Sequence, residues 1–313
     1  KSRTYRQFSG AAWMPAVYDD LDAVDQWPVV IKPDRGQGGA GVITASTREQ
    51  AEAAMGGVDE PLLVEYLPGD ELTVDCFTDR HRRLLLVGPR TRERIRAGIS
   101  MRSRLIEPEE EIRSIAEALN DGLTLRGPWF FQVKRSRDGR WKLLEAACRV
   151  GGATVGQRAR GINLPLLAVQ DYLGRDLALL PIEQVRLIDR HVATVARLEF
   201  DFDTVWVDLD DTLIIDGHPT PQVVAFLYQM RREAKRIVLI TRHELDCATT
   251  LDAACLPLRM FDDIVHITDG RPKSEFVGRR SIFIDNHFPE RQAVAERHGI
   301  PVFDVDALEF LIR

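Results

Sequence analysis

The feature that most constrains this chain is a run of acidic residues directly after a short apolar strand pattern. Residues 205–215 read VWVDLDDTLII, and Asp208 and Asp210 follow the apolar stretch. A surface acidic turn would explain such a run on its own. Three further polar residues follow in order at the ends or starts of predicted elements: Thr241, Lys273 and Asp285. Because open parallel sheets bind ligands beyond the carboxyl ends of their strands, the set predicts one site on such a sheet.

This pattern resembles the haloacid dehalogenase superfamily, whose first signature reads DxDx(T/V) after an apolar strand. In that superfamily the first carboxylate attacks phosphorus to form an aspartyl-phosphate, and the second protonates the leaving oxygen and then activates water. The resemblance implies that Asp208 is the nucleophile and Asp210 the acid and base. It also implies that Thr241 holds the phosphoryl oxygens and that Lys273 neutralises charge on the phosphate and nucleophile. The Mg²⁺ ligands that it implies are Asp208, Asp210 and Asp285.

The last signature departs slightly, because family members often have Asp-Asp where this chain has Asp285-Asn286. We expect Asp285 to touch the metal. Residues 221–234 and 244–255 have apolar residues at helical periods and are predicted as core-facing helices, so the gaps between signatures hold no large cap. The resemblance therefore implies a capless phosphohydrolase domain over residues 201–313, built on a Rossmann-like parallel sheet and acting on a phosphate ester.

In the first part of the chain, residues 28–33 and 42–46 have strand composition and flank a segment with four glycines. This predicts a hairpin with a glycine-rich tip. GxxxxGK(S/T) is absent, and although residues 36–41 have the GxGxxG spacing, they lead into a second strand pattern and not into a helix, which argues against the usual glycine-loop-to-helix phosphate sites. Glycine allows close approach of backbone amides to a polyphosphate, and Lys32 adds a positive charge, although a flexible surface hairpin would look the same. The candidate tip residues are Gly36, Gly38, Gly39 and Gly41.

Residues 62–75 read LLVEYLPGDELTVD, which is an apolar strand, a Pro-Gly turn and a second alternating strand. The segment resembles the hinge between two lobes in the ATP-grasp superfamily. In that superfamily the hinge backbone bonds the adenine edge, and a glutamate after the turn holds the ribose hydroxyls. The resemblance implies that the adenine hinge is Glu65, Tyr66 and Leu67, and that Glu71 is the ribose ligand.

Residues 130–152 predict two strands around an Asp-Gly turn, with Gln132 and Glu145 side by side across the hairpin. ATP-grasp members place Mg²⁺ ligands on such strands, and a Gln carbonyl with a Glu carboxylate supplies the hard oxygens that magnesium requires. Arg149 matches the arginine that contacts the transferred phosphate or acyl phosphate, and these residues resemble carbamoyl-phosphate-synthase-like members. Ala147 stands where the family usually has asparagine, so a weakened second metal, slower turnover or an ATP-binding pseudoenzyme are alternatives.

Four arginines alternate with other residues between these segments: Arg90, Arg92, Arg94 and Arg96. In an extended strand all four would point to one face, which could hold a carboxylate or phosphate. A charged edge strand that discourages aggregation is the alternative. We select Arg92 as the substrate or phosphate ligand.

The length of 313 residues predicts two domains, and the motifs assign residues 1–200 to an ATP-grasp α+β region and residues 201–313 to the phosphohydrolase. The overall class is α/β. The ATP-grasp resemblance implies a further domain upstream of Lys1, so we expect a truncated chain. A net charge of -6 argues against a nucleic-acid partner, and no apolar run is long enough to span a membrane. The four cysteines, predicted to be reduced core residues in a cytoplasmic protein, are Cys76, Cys148, Cys247 and Cys255.

Together these resemblances imply a bifunctional biosynthetic enzyme. Its first half would use ATP and Mg²⁺ to activate a small-molecule carboxylate as an acyl phosphate for attack by an amine or similar nucleophile. Its second half would be an Mg²⁺-dependent phosphatase. One alternative makes only the phosphatase active, with the first half an ATP sensor or substrate-binding cap, and another makes both halves scaffolding. The substrates and the oligomeric state are not encoded in any motif.

Overall fold

The computed structural model describes residues 1–36, 40–96 and 98–313 and divides into two compact units, Lys1–His191 and Val192–Arg313. The helices of the first unit are α1 Ser2–Gln7, α2 Arg48–Met55, α3 Glu110–Gly122, α4 Val155–Ala159 and α5 Leu164–Tyr172. Its strands are β1 Val17–Tyr18, β2 Val29–Pro33, β3 Ile43–Ala45, β4 Pro61–Glu65, β5 Glu71–Thr78, β6 Leu84–Thr91, β7 Arg94–Arg96, β8 Ile99–Arg104, β9 Gly127–Arg135, β10 Trp141–Ala147 and β11 Leu187–Asp189.

The strands of the first unit form three antiparallel sheets. Their strand orders are β1-β4-β2-β3, β10-β9-β5-β6 and β11-β8-β7. The predicted glycine-tipped hairpin is present as β2 and β3, with Val29 opposite Ala45. The segment from β4 to β5 passes from the first sheet to the second, so the predicted hinge joins two separate sheets.

Helix α3 shows how the sequence builds the core of the second sheet. Its buried residues include Ile112, Ile115, Ala116 and Leu119, which are spaced at i, i+3, i+4 and i+7 and so share one face. These four side chains belong to one apolar cluster with residues of β5, β9 and β10. The helix therefore covers one face of this sheet.

The second unit contains an all-parallel sheet. The strands of the second unit are β12 Thr204–Val207, β13 Ile214–Ile215, β14 His218–Pro219, β15 Arg236–Thr241, β16 Asp263–His266, β17 Ser281–Ile284 and β18 Val302–Phe303. Its helices are α6 Pro221–Arg232, α7 Cys247–Ala253 and α8 Phe288–His298, and 3-10 turns span Leu258–Met260, Lys273–Glu275 and Val305–Leu311. Five strands pair in parallel in the order β16-β15-β12-β17-β18. The chain reverses its direction of winding beside β12, where open sheets of this type bind ligands.

Three local predictions for the second unit need correction. The helix expected from residue 244 begins at Cys247, because the Asp246 side chain accepts from the Thr249 amide and caps it there. The helix expected at Lys273 is one 3-10 turn. The helix predicted over residues 221–234 ends at Arg232.

The cysteines were predicted as core residues, and this is wrong for two of them. Cys76 and Cys247 are buried, whereas Cys148 and Cys255 are exposed, and none of the four is in a disulfide. Cys148 follows the end of β10 and Cys255 follows α7, so both lie just past an element that seemed to continue in the sequence. In the part of the chain that the structure describes, no helix has the length and apolarity needed to cross a bilayer.

Candidate active sites

A cavity of about 800 Å³ lies in the first unit and is lined by residues of both the β2-containing and the β5-containing sheet. This volume is in the range of small-molecule and cofactor sites. Ten of the residues selected from the sequence line it: Lys32, Gly36, Glu65, Tyr66, Leu67, Glu71, Arg92, Gln132, Glu145 and Arg149. The fold thus brings together segments that are far apart in the chain.

Lys32 is a buried cation in the lining of this cavity. Its Nζ donates to the Tyr5 hydroxyl at 2.6 Å and lies 3.3 Å from the Leu144 carbonyl, and its exposed fraction is 6%. Burial lowers the pKa of Lys32 to about 8, Lys1 acts in the same direction, and Glu145 opposes them. The pKa of Tyr5 is raised by burial, so Tyr5 remains a neutral hydroxyl. A buried ammonium with so few anionic neighbours is favourably placed to accept an anion.

The tip of the glycine hairpin is described only in part. Gly36 and Gly41 have φ angles of 151° and 73°, which side-chain-bearing residues rarely adopt, and a Cβ on either would lie 3.4 Å from the Pro33 ring. Glycine at these two positions allows both φ angles beside the Pro33 ring. Gly38 and Gly39 lie outside the described residues.

The hinge between β4 and β5 is anchored on both sides. The Glu65 amide donates to the Ala16 carbonyl at 2.9 Å, and Leu67 is buried. Gly69 donates to the Arg135 carbonyl at 3.0 Å, and a Cβ at Gly69 would lie 2.6 Å from the Arg135 Cβ. The turn therefore requires glycine because it lies directly against β9.

Gln132 and Glu145 are opposite each other on β9 and β10, as the hairpin predicted. In the orientation that satisfies both atoms of the Gln132 amide, its nitrogen donates to Glu145 Oε1 at 3.2 Å. Its oxygen then accepts from Arg92 Nη1 at 2.6 Å and from the Thr73 hydroxyl at 3.1 Å. Magnesium is commonly held by one or two protein oxygens together with phosphate oxygens, so this pair fits the ion once the amide turns its oxygen toward Glu145.

Arg92 links the predicted ribose ligand to the predicted metal ligands. Its Nε lies 3.0 Å from Glu71 Oε1, and its Nη2 donates to the Gly98 carbonyl at 3.0 Å. With its contact to Gln132, this guanidinium already binds two of the polar groups assigned to nucleotide and metal. An anion in the cavity would compete with Glu71 for the same cation.

The prediction that the four alternating arginines share one face is wrong. Arg90 lies in β6, and Arg94 and Arg96 lie in β7 of a different sheet. Arg92 lies between the two strands. The β7 pairing also shifts register after Arg94, which breaks the alternation. Arg94 instead forms an ion pair with Asp189 on β11, and Arg96 is exposed.

A buried ion pair beneath the cavity was not selected from the sequence. Arg90 Nε donates to Asp75 Oδ2 at 2.9 Å, and the two side chains are 3% and 1% exposed. Burial raises the pKa of Asp75, and Arg90 opposes that shift. A Cβ at Gly151 would lie 3.3 Å from Asp75 Oδ1, so the backbone after β10 lies against this pair. A cross-strand contact of this kind leaves no sequence signal beyond two charges in apolar strands.

Arg149 lies at the cavity edge beyond the end of β10. Its guanidinium lies over the Phe130 ring at 4.9 Å and donates to the Val150 carbonyl at 3.3 Å. Ala147 is the last residue of β10, opposite Phe130, and its methyl group supplies no oxygen where the family usually has an asparagine amide. Of the predicted metal ligands in this segment, Glu145 is therefore the one that carries a negative charge.

In the second unit, one lysine lies between two buried carboxylates. Asp208 and Asp285 directly follow the adjacent parallel strands β12 and β17, so their side chains meet at the same sheet edge. Lys273 Nζ lies 2.6 Å from Asp208 Oδ1 and 2.7 Å from Asp285 Oδ2. All three are buried. Burial raises the pKa of Asp208 to about 6, Lys273 opposes this shift, and Asp285 adds to it.

The other predicted residues surround this group. Thr212, which ends the DLDDT signature, has its hydroxyl 3.4 Å from Asp208 Oδ2 and accepts from the Asn286 amide at 2.9 Å. Thr241 ends β15, and its hydroxyl lies 3.5 Å from Asp210 Oδ2. The signatures therefore meet at one edge of the sheet, and Asn286 contributes to their alignment.

The charge balance of this group suits a cation. Asp208 and Asp285 share a single ammonium, so together with Asp210 the carboxylates outnumber the lysine. Asp210 is directed to Thr241 and His243. Within residues 1–36, 40–96 and 98–313, no three His, Cys, Asp or Glu side chains are already arranged as a metal cage. The donor set fits Mg²⁺ if phosphate oxygens and water complete the coordination and Lys273 shifts from between the carboxylates.

His243 was missed by the sequence reasoning although it lies two residues after Thr241 at the same sheet edge. Its Nδ1 is 2.8 Å from Asp210 Oδ1, and its Nε2 is 2.7 Å from the Thr250 hydroxyl. A polar residue just beyond a strand that carries a predicted site residue was the available signal.

Comparison with known proteins bears on the first unit. Residues 58–195 match the family model described as ATP-grasp in the biosynthetic pathway with Ter operon. Residues 58–195 are therefore similar to the ATP-grasp family, over less than half of the chain. This segment includes β5, β9 and β10 and therefore the strands that carry Glu71, Gln132 and Glu145.

A curated protein and several solved structures are also similar to the chain. D-alanine–D-alanine ligase of Fusobacterium nucleatum is 28% identical over 75 residues, which are 24% of this chain and 26% of that protein. Biotin carboxylase from Campylobacter jejuni, in complex with β,γ-ATP, aligns with a TM-score of 0.48 at 16% identity over 60% of this chain and 48% of its own. L-amino acid ligase from Bacillus licheniformis aligns with a TM-score of 0.42 at 19% identity over 56% and 46% of the two chains. The chain thus spans about a quarter of the curated relative and about half of these structures.

Proposed function

We propose that the chain combines an ATP- and Mg²⁺-dependent ligase in its first unit with an Mg²⁺-dependent aspartyl-phosphate phosphatase in its second. The ligase would activate a carboxylate as an acyl phosphate and join it to an amine or similar nucleophile. The phosphatase would hydrolyse a phosphate ester. The resemblance of the ATP-grasp segment to enzymes that form such bonds supports the first activity, and the order and geometry of the four signatures support the second.

The observation that carries the ligase proposal is the single cavity that gathers Lys32, Glu71 and Glu145. Lys32 would bind the nucleotide phosphates, because a buried ammonium gains an anionic partner there. Glu71 would accept from the ribose hydroxyls after releasing Arg92. Since the Glu65 amide already has a partner, adenine recognition would use the backbone of Tyr66 and Leu67. Magnesium, held by Glu145 and Gln132, would neutralise charge on the phosphates.

Arg92 and Arg149 would act on the acceptor side of the same cavity. Transfer of the terminal phosphoryl group to a carboxylate produces an acyl phosphate and ADP, and attack by the amine expels phosphate. Both arginines can donate to the anionic oxygens that develop in these steps, and their fixed forks suit carboxylate and phosphate. The first unit would thus supply orientation and charge complementarity.

ADP release by the full-length chain tests the ligase. We would screen pools of small carboxylates with pools of amines, with Mg-ATP present, and compare the wild type with Glu145→Gln. Substrate-dependent ADP release that is lost in Glu145→Gln would support the proposal. Mg-ATP binding without release for any pool would favour a nucleotide sensor, for which Ala147 in place of the usual asparagine is the supporting observation.

The phosphatase proposal rests on Lys273 between Asp208 and Asp285 at the carboxyl ends of parallel strands. An Asp208 oxygen would attack phosphorus while the ester bond breaks, and Asp210 would give its proton to the leaving oxygen. Asp210 would then take a proton from the water that cleaves the aspartyl-phosphate. Thr241 would orient the phosphoryl oxygens, and Lys273 would stabilise their charge.

Hydrolysis of p-nitrophenyl phosphate tests this reaction. Asp208→Asn keeps the shape of the side chain but removes the nucleophile, so activity should fall by about three orders of magnitude or more. The matched control is Asp211→Asn, because Asp211 is exposed, belongs to the same acidic run, and has a φ of 53° that asparagine tolerates. Equal activity in Asp208→Asn and the wild type would refute the mechanism.

A further inference from the structure

The imidazole of His243 is enclosed by hydrogen-bonding partners on both ring nitrogens. Its Nδ1 lies 2.8 Å from Asp210 Oδ1, and its Nε2 lies 2.7 Å from the Thr250 hydroxyl. The side chain is only 12% exposed, whereas that of Asp210 is 53% exposed. A largely buried ring therefore holds a carboxylate that is otherwise in contact with solvent.

The backbone of His243 is fixed as well. Its amide donates to the Thr241 hydroxyl at 3.0 Å, and its carbonyl lies 2.7 Å from His266 Nε2. The Thr241 hydroxyl in turn lies 3.5 Å from the second Asp210 oxygen, Oδ2. One oxygen of Asp210 is thus near the last residue of β15, and the other is near a residue that follows this strand.

The partners determine which ring nitrogen carries the hydrogen in the neutral imidazole. Asp210 Oδ1 accepts a hydrogen bond in an ionised carboxylate and also in a carboxyl group that carries its proton on Oδ2, whereas the Thr250 hydroxyl can donate or accept. Both contacts are satisfied when Nδ1–H donates to Asp210 and the Thr250 hydroxyl donates to Nε2. The acceptor Asp210 therefore selects the tautomer with hydrogen on Nδ1, and the Thr250 hydroxyl on α7 stabilises it by donating to Nε2.

We propose that His243 is a positioning residue for Asp210 and that Thr250 stabilises the tautomer that makes this contact. This inference rests on the proposed phosphatase function. Asp210 must transfer its proton to the leaving oxygen as the bond from that oxygen to phosphorus breaks, and an exposed carboxyl that samples several rotamers would meet this requirement only part of the time. The contact with His243 restricts Asp210 to the orientation beside Thr241, where the phosphoryl group would bind.

The dependence on the leaving group distinguishes this role from a purely structural one. An alkoxide leaves poorly without a proton, whereas p-nitrophenolate leaves readily without one. Loss of the contact should therefore slow hydrolysis of an alkyl phosphate more than hydrolysis of p-nitrophenyl phosphate. General damage to the fold, or to the nucleophile, would slow both substrates by the same factor.

Two isosteric substitutions separate the contacts of the ring. His243→Asn keeps a donor near the position of Nδ1 and so keeps the contact with Asp210, whereas His243→Gln keeps a polar group near Nε2 and loses that contact. In the full-length chain with Mg²⁺, we expect His243→Gln to lower kcat for glycerol phosphate by about 10- to 100-fold and for p-nitrophenyl phosphate by less than about fivefold. We expect His243→Asn to recover most of the loss, with KM nearly constant in both variants.

Threonine variants on α7 provide the matched control. Thr250→Val removes the hydroxyl that contacts the His243 ring. Thr249→Val removes a hydroxyl that instead donates to Asp246 Oδ2 at 2.8 Å. Thr250→Val should show the same preference for the good leaving group, and Thr249→Val should match the wild type. Equal loss on both substrates in His243→Gln, or no recovery in His243→Asn, would overturn the positioning role. Absence of any Asp208-dependent hydrolysis in the wild type would overturn the proposed function and this inference together.

Discussion

Replacing Lys32 with methionine should stabilise the nucleotide-free protein and also remove its response to Mg-ATP. Lys32 is 6% exposed, and burial is the main reason why its pKa falls from 10.5 to about 8. A depression of this size corresponds to about 3 kcal/mol of unfavourable free energy for keeping the ammonium charged in the folded state. Methionine has a similar length and no charge, and the Tyr5 hydroxyl keeps its bond to the Leu144 carbonyl at 2.7 Å. We expect the free energy of unfolding to rise by about 1–3 kcal/mol at pH 7.

The pH dependence fixes the sign of this effect. Between the folded-state pKa of about 8 and the ordinary value of 10.5, the unfolded chain binds a proton that the folded chain lacks. The contribution of Lys32 therefore makes the wild type more stable as pH rises through this window. The advantage of Lys32→Met should be greatest below pH 8 and should disappear as pH approaches 10.5.

Urea unfolding of the full-length chain at several pH values measures this difference, and a thermal shift with Mg-ATP at pH 7 measures binding. Lys134→Met is the matched control, because Lys134 also lines the cavity but is only half-buried and lies over the Tyr66 ring at 5.9 Å. It should not stabilise the free protein. A Lys32→Met variant that is less stable than the wild type at pH 7, or that keeps a full Mg-ATP shift, would refute the reasoning.

Three other predictions follow from the first unit. Ala147→Asn restores an amide oxygen beside the proposed metal ligands, so it should raise ATP turnover or lower the magnesium requirement; unchanged kinetics would show that the position is not a ligand site. Gly69→Ala should destabilise the first unit by about 2 kcal/mol or more, because the new Cβ would clash with strand β9. Gly57→Ala should not, because its Cβ would have only ordinary contacts, and thermal unfolding compares the two variants. Arg90→Met should cost about 3–5 kcal/mol by leaving Asp75 buried and unpaired, and adding Asp75→Asn should recover part of this loss in a double-mutant cycle; strictly additive effects would show that the pair is uncoupled.

The residues that sequence reasoning located best are those whose position follows from the backbone alone. Asp208, Thr241 and Asp285 each end or follow an apolar strand, and a parallel sheet brings such positions to one edge whatever the side chains between them. Gln132 and Glu145 were placed on neighbouring strands because the Asp-Gly turn predicts a hairpin, but they are directly opposite because the register shifts between Leu143 and Glu145. Local pattern and one topological rule were enough for the parallel sheet, whereas the register shift in the hairpin left no local signal.

The contacts that sequence reasoning missed are made by side chains from segments that no local rule connects. Tyr5 meets Lys32 because helix α1 packs beside β2, and Asp75 meets Arg90 across the paired strands β5 and β6, whose register no turn signal in the sequence fixed. The prediction that the alternating arginines share one face failed because alternate residues share a face only within a continuous strand. Here the chain leaves β6 before it enters β7. His243 differs, because its position was predictable and only its partners were not.

The central position of β12 also affects how the second unit folds while the chain is being synthesised. This strand is the first of its sheet to be synthesised, but one of its two edges pairs with β17, near the end of the chain. Until residues 281–284 have been made, that edge of an apolar strand stays open, and an open edge can pair with strands of other chains. The pairing of β17 with β12 closes this edge and at the same time brings Asp285 next to Lys273. The step that closes this open edge is therefore also the step that brings Asp208, Lys273 and Asp285 together.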